Sequence, residues 1–183
     1  ALWLIWASIF NRNPLISNPS IPFIGLLLLV CAVLPSGEPA SRDPAVLDWA
    51  PPSWLSRALL LTLMLGYTVS GIHKLTAPSW VDGTALTHVL ELPIARDIWL
   101  RSFVLALPLP LLKLATWSAL AMEVLALPLT FLPATRRWVW LGLLAMNLGI
   151  LCVIDFADLT FGVLVFHLFA FHREWLPGRK WAT

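Results

Sequence analysis

A lysine and a glutamate stand where an apolar sequence accommodates charge least well. Lys74 follows the apolar run Leu55 to Ile72 together with His73, just before Pro78 ends any helical path. Glu123 lies deep in a second apolar run, Leu111 to Leu132. A lysine stripped of water holds its proton less tightly and becomes a usable base, unless a carboxylate restores the charge or the side chain snorkels to the headgroups. A carboxylate in mid-span is costly and turns inward toward a partner. Lys74, Lys113 and His167 are its candidate partners. The residue types fit a structural ion pair and a catalytic pair equally. His73 neighbours Lys74, so on a helix it points about 100° away and need not share its site.

Other residues carry weaker chemical signals. Trp80 offers an amphipathic ring for the headgroup level, and Asp82-Gly83 is a turn signal that reverses the chain. Asp155 and Asp158, three apart, could share a helix face, but a polar turn at the membrane edge explains them equally well, and no metal site is assigned to them. Asn147, amid apolar residues, reads as an interhelical hydrogen-bonding group. His167 and His172, five apart, fall on different faces and make no metal pair. No Gly-rich phosphate loop, Ser-His-Asp set or haem-attachment motif occurs.

The elements that must position these groups are membrane helices. Of 183 residues, 59% are hydrophobic and 12% charged, with a mean hydropathy of +0.82, which defines an integral membrane protein. A net charge of +2 on scattered basic residues does not suggest nucleic acid. Eleven Trp point to indole rings at the interfaces, and 15 Pro to broken or kinked helices. Cys31 and Cys152 sit in apolar runs without CxxC pairing and read as small buried hydrophobes, with no disulfide framework or metal cage.

The predicted fold is all-α, a polytopic transmembrane bundle with interfacial amphipathic helices, in one domain over 1–183. Ala1 to Phe10 reads as the last turns of a span, so a native N-terminal part is expected before it. Ile21 to Leu34 is short for a straight crossing. Pro35 to Trp54 reads as a loop with an interfacial piece from Val46 to Trp54, followed by a span over Leu55 to Ile72. Gly83 to Leu92 and Ile94 to Leu107 read as surface-lying helices, and Leu111 to Leu132 as a span with a kink site at Pro128. Trp138 to Phe171 is too long for one crossing, so a reversal is predicted at Asp155 to Thr160. His172 to Thr183 is a basic, polar tail.

With these crossings Arg42, Arg57, Arg136, Arg137, Arg173, Arg179 and Lys180 share one side, and Arg12, Lys74, Arg96 and Arg101 the other. The excess assigns the first side, with the C-terminus, to the cytoplasm, and the His73-Lys74 corner to the outer or lumenal side.

The stretch Tyr67 to Leu86, with GIHKL followed by SWVDGTAL, resembles the membrane domain shared by vitamin K-dependent gamma-carboxylase and its bacterial relatives, the horizontally transferred transmembrane (HTTM) domain. The likeness extends to Asn11 to Pro14, the Glu123 helix, and Ile154 to Phe171, and so covers most of the chain. It implies a helical bundle with a lumenal active face. It also implies that Lys74 is the base that deprotonates a vitamin K-type hydroquinone; in such a quinone-type site His73 and Glu123 are the expected polar support, with Tyr67 and Trp80 beside an isoprenoid quinone. Relatives often carry His near Asn147, and many continue past a segment like His167 to Trp175 into a thiol-disulfide oxidoreductase-like domain. Neither that domain nor the carboxylase's polypeptide-handling domain is in this sequence, so protein carboxylation is not expected.

Two functions remain open. One is a non-catalytic or accessory subunit that packs with other membrane proteins in a respiratory or photosynthetic-type complex of a bacterial inner membrane. The other is a carboxylase-like membrane enzyme using Lys74 on a quinone. Whether Lys74 and Glu123 converge on one cavity or point to separate environments discriminates between the two.

Overall fold

A computed structural model describes residues 1–12, 18, 20–33, 52–155, 157–172 and 175. These form ten helices: α1 (Leu2–Arg12), α2 (Ser20–Val33), α3 (Ser53–Lys74), α4 (Pro78–Val81), α5 (Ala85–Glu91), α6 (Trp99–Leu105), α7 (Leu109–Val124), α8 (Ala126–Thr130), α9 (Pro133–Val153) and α10 (Ala157–Phe169). Among the described residues there is no strand, only an isolated antiparallel bridge between Ala95 and Ile154. The all-α class expected from the sequence is therefore observed.

Among the described residues two helices, α3 with 22 residues and α9 with 21, are long and apolar enough to cross a membrane. At ~1.5 Å per residue each spans just over the ~30 Å of a hydrocarbon core. The pair α6 and α7 adds a third crossing if taken as one element, although it bends by 106°. That bend falls where Pro108 starts α7, as the sequence predicts for the end of the amphipathic layer.

Proline does more starting than breaking here. Pro52 and Pro108 are the N-caps of α3 and α7, and Pro78 and Pro133 are the first residues of α4 and α9. A first-turn proline gives up no helical hydrogen bond, and its fixed φ suits the helix. The exception is Pro128. The predicted span from Leu111 to Leu132 is interrupted at Leu125, one turn before the expected kink site, where α7 ends and α8 begins. The pyrrolidine ring clashes with the carbonyl four residues back, which is that of Val124, so the distortion appears upstream of the proline itself.

Other expectations are adjusted in detail. The reversal between the last two helices is shorter than Asp155 to Thr160, because α9 ends at Val153 and α10 already begins at Ala157. The second surface-lying segment is helical only from Trp99; before it the chain is extended at Ala95, where it bridges to Ile154. Cys31 and Cys152 are exposed, so neither is the buried hydrophobe expected from its apolar run. Val46 to Pro51 and most of the tail lie outside the described residues; Ser53 and Trp54 open α3.

The core runs along α3. Leu55, Leu59, Leu60, Leu63 and Met64 pack with Ala126, Val139, Trp140, Leu143, Val163, Phe166 and Ala170, joining α3 to α8, α9 and α10. On the other side α10 packs on α2.

Candidate functional site

One face of α3 changes character halfway along. Below, it is the apolar stripe Leu55, Leu59, Leu60, Leu63 and Met64. Above, the same helical period continues through Tyr67, Thr68, Ser70, Gly71 and Lys74. Small polar residues let helices approach closely in lipid and supply hydrogen bonds between them. Here they grip the break between α7 and α8.

Gly71 marks the closest approach. A Cβ there would lie 2.7 Å from the backbone nitrogen of Val124 and 2.9 Å from its Cγ2, so nothing larger fits. One turn earlier, the Thr68 hydroxyl donates toward the carbonyls of Glu123 at 3.2 Å and Val124 at 3.4 Å, and accepts the Leu127 amide at 3.0 Å. The break frees those backbone groups, and lipid offers them no partner. A single side chain from the neighbouring helix therefore seals the discontinuity.

The same crossing sets Glu123 opposite Lys74. Lys74 Nζ donates to Glu123 Oε1 at 2.5 Å, and the Ser70 hydroxyl donates to Oε2 at 3.1 Å, so both carboxylate oxygens are engaged. The Glu123 side chain is 5% exposed and that of Lys74 is 26% exposed. The ammonium lies 4.4 Å from the centroid of the Trp80 ring, a cation–π contact that roofs the pair. Further out, α4 and α5 lie on α7 through Trp117 Nε1 to the Val81 carbonyl at 3.1 Å and the Leu86 amide to Thr116 Oγ1 at 3.3 Å. Thr116 and Trp117 precede Glu123 by six or seven residues, about 10 Å along the axis, so the pair sits beneath this cover.

The cover is held by a turn. Gly83 has φ +83°, and a Cβ there would meet Lys113 and the Trp117 ring at 3.0 Å. The Thr84 hydroxyl and amide donate to Asp82 Oδ1 at 2.6 and 2.9 Å. These hydrogen bonds favour the ionised carboxyl and hold it below the usual carboxylate range. At the same end Arg96 pairs with Asp155 at 3.2 Å, and the Arg96 amide donates to the Val153 carbonyl at 2.8 Å. The amphipathic layer is thus tied to the turn between α9 and α10.

A second polar cluster lies lower on the same α3 face. Asn147 Nδ2 donates to the Tyr67 hydroxyl at 2.6 Å and to the Leu143 carbonyl at 2.8 Å. His167 Nδ1 is 2.9 Å from the Val163 carbonyl, which accepts only, so that nitrogen carries the proton. Nε2 is then the acceptor facing the Tyr67 hydroxyl at 3.5 Å. The bonds run in one direction, from Asn147 through Tyr67 to His167 and into a backbone carbonyl. Trp140 fixes the same turn of α10, donating from Nε1 to the His167 carbonyl at 3.2 Å.

Of the residues singled out from sequence, Lys74, Glu123 and Trp80 meet. Tyr67 shares their helix face but bonds to Asn147 and His167 instead. His73 is exposed on another face and does not join them. Asn147 makes the interhelical bond expected of it. His167 serves Tyr67 and not Glu123, and Lys113 supports the Gly83 turn. Asp155 pairs with Arg96, and the Asp158 side chain lies outside the described residues. Sequence reasoning missed Thr68, Ser70 and Gly71. Their signal is the run of small residues interleaved at helical spacing with Tyr67 and Lys74. Among the described residues no group of three or more His, Cys, Asp or Glu could hold a metal.

Compared with family models, curated proteins and solved structures, the chain has no match.

Proposed function

We propose that this chain is a polytopic membrane bundle serving as a non-catalytic or accessory subunit of a larger bacterial inner-membrane complex of respiratory or photosynthetic type. The observation that carries this reading is the closed state of Lys74. Its proton is held by Glu123 at 2.5 Å, its charge faces Trp80 at 4.4 Å, and Ser70 completes the carboxylate. The ammonium and the carboxylate are thus committed to each other and to side chains of the bundle. The pair then acts as a clamp that fixes α7 and its cover on α3. The shortness of α10, 13 residues or ~20 Å, also favours a partner, because a helix shorter than the hydrocarbon core is accommodated by oligomerising or by thinning the bilayer. The topology that goes with this reading has Arg57, Arg136, Arg137 and the C-terminus cytoplasmic.

A second reading is supported by a different observation: Tyr67, Ser70 and Lys74 line one face of α3, with Glu123, Asn147 and His167 arrayed against it. In a carboxylase-like membrane enzyme of HTTM type, the Lys74 ammonium would first pass a proton to Glu123, and the free amine would then take one from a hydroxyl of an isoprenoid hydroquinone, leaving its oxyanion. The resemblance of Tyr67 to Leu86 supports this alternative.

Purification in mild detergent tests the first reading. Stable co-migration with other membrane proteins is the expected result, and recovery only as an isolated chain overturns it. Lys74→Ala tests the second: loss of a quinone-dependent activity from a folded protein would establish the enzyme.

A further inference from the structure

At the opposite end of the bundle from Lys74, the first turns of α9 and the end of α10 enclose a groove of about 270 Å³ lined by Arg137, Trp138, Trp140, Leu141, Phe171 and Trp175. We propose that this groove binds an anionic phospholipid, its phosphate on Arg137 and its upper acyl chain across the aromatic floor.

The floor is a built feature. Trp140 lies 5.5 Å from both Phe171 and Trp175, ring centre to ring centre, and those two rings meet edge-on at 5.7 Å. Trp140 is buried and immobilised by its bond to the His167 carbonyl. Arg137, Trp140 and Leu141 follow the i, i+3, i+4 spacing of one helix face. The rim is cationic. The Arg137 guanidinium lies 4.7 Å from the Trp138 ring centre, which holds it beside the groove. Arg136 adds a second charge and is anchored through Nε to the Thr130 carbonyl at 3.0 Å.

Two arginines within the first two turns of a long helix oppose its dipole, whose N-terminal end is already positive. Among the described residues the carboxylates are engaged elsewhere: Glu123 with Lys74, Asp155 with Arg96, Asp97 with Arg101, Asp82 with Thr84. Glu91 sits in α5, within the cover over Lys74. No carboxylate among the described residues answers these two arginines, so an anion would complement them, and the apolar floor asks that it carry a hydrocarbon chain. Anionic phospholipid joins those two properties at the depth of an interfacial aromatic belt. This inference needs only that α9 spans a bilayer and does not depend on either role for Lys74.

The test is competition for the purified chain between phosphatidylglycerol and phosphatidylcholine in nanodiscs mixed one to four, with retained lipids counted by native mass spectrometry. Wild type is expected to retain phosphatidylglycerol selectively. Arg137→Gln should lower that selectivity about fivefold, the worth of one basic residue at an anionic surface. Trp138→Leu should lower retention of phosphatidylglycerol, whereas Arg57→Gln, an exposed arginine of α3 that does not line the groove, should leave it unchanged. Arg137 and Trp138 are both exposed, so neither change disturbs the core. Equal retention of the two lipids by wild type would overturn the proposal and leave the groove to a protein partner. An equal loss in Arg57→Gln would also overturn it, by reducing the preference to diffuse charge.

Discussion

Replacing Thr68 by Val removes one hydroxyl and almost no volume, and it isolates the seal at the helix break. The hydroxyl accepts the Leu127 amide at 3.0 Å and donates toward the Glu123 and Val124 carbonyls at 3.2 and 3.4 Å. Without it, one N–H and at least one carbonyl lose their partner in an apolar setting. A buried group left unsatisfied costs about 1–3 kcal/mol, while hydrogen bonds between membrane helices are worth on average ~0.6 and at most ~1.7 kcal/mol. One hydroxyl serving both donor and acceptor sits near the top of the second range, so a loss of about 1–2 kcal/mol is expected. Reversible unfolding in mixed micelles, followed by far-ultraviolet circular dichroism, measures it. Thr62→Val is the control, because Thr62 bonds only to the Ala58 carbonyl of its own helix at 2.9 Å, and it should stay within ~0.5 kcal/mol of wild type. Thr68→Ser should recover most of the loss. If Thr68→Val matched Thr62→Val, the break would not depend on α3 and the account of the seal would be wrong.

Gly71→Ala should destabilise by about 1–3 kcal/mol in the same assay, since its methyl lands 2.7 Å from backbone nitrogen that cannot step aside; a neutral result would place the helices further apart than described. Tyr67→Phe should cost about 1 kcal/mol and shift the Asn147 side-chain amide resonances, because Nδ2 loses the 2.6 Å acceptor; unchanged Asn147 signals would contradict the Asn147 to Tyr67 bond. For Asp82 the folded carboxyl titrates below its ordinary value. Its contribution to the turn is therefore full above the ordinary carboxylate range and is lost as pH falls through the lower folded value. Thr84→Ala should return the Asp82 titration, read by NMR, toward the ordinary value, and no movement would exclude Thr84 as the cause.

The chemistry-bearing residues were legible because charge in an apolar run requires a partner. Lys74 and Glu123 announce themselves that way, but sequence leaves Lys74, Lys113 and His167 as equal candidates for the carboxylate. Choosing among them takes the crossing of α3 and α7, which is fixed by Gly71 and by a break that begins upstream of Pro128. Thr68 and Ser70 were not legible for a related reason. Their partners are carbonyls and a carboxylate oxygen that come within reach only once that crossing exists. Tyr67 and His167 are a hundred residues apart, and no local pattern joins them. The helices themselves follow closely from the apolar runs, and their ends shift where proline serves as a first-turn residue rather than a stop. Trp80 is legible as an amphipathic ring beside the corner, but its contact with the Lys74 ammonium at 4.4 Å depends on the turn after Pro78.

The clamp between Lys74 and Glu123 is best tested by a double-mutant cycle on unfolding free energy, with Lys74→Met and Glu123→Leu alone and together. Lys74→Met strands a carboxylate whose side chain is 5% exposed and should cost about 3 kcal/mol, whereas Glu123→Leu leaves an ammonium 26% exposed that can reach polar surroundings and should cost about 1 kcal/mol. Together the two apolar side chains should restore the protein to within ~1 kcal/mol of wild type, because well-packed apolar residues often replace a buried ion pair at little loss. A double variant as unstable as the sum of the single ones would mean that these side chains do not act as a pair, and the clamp would have to be given up.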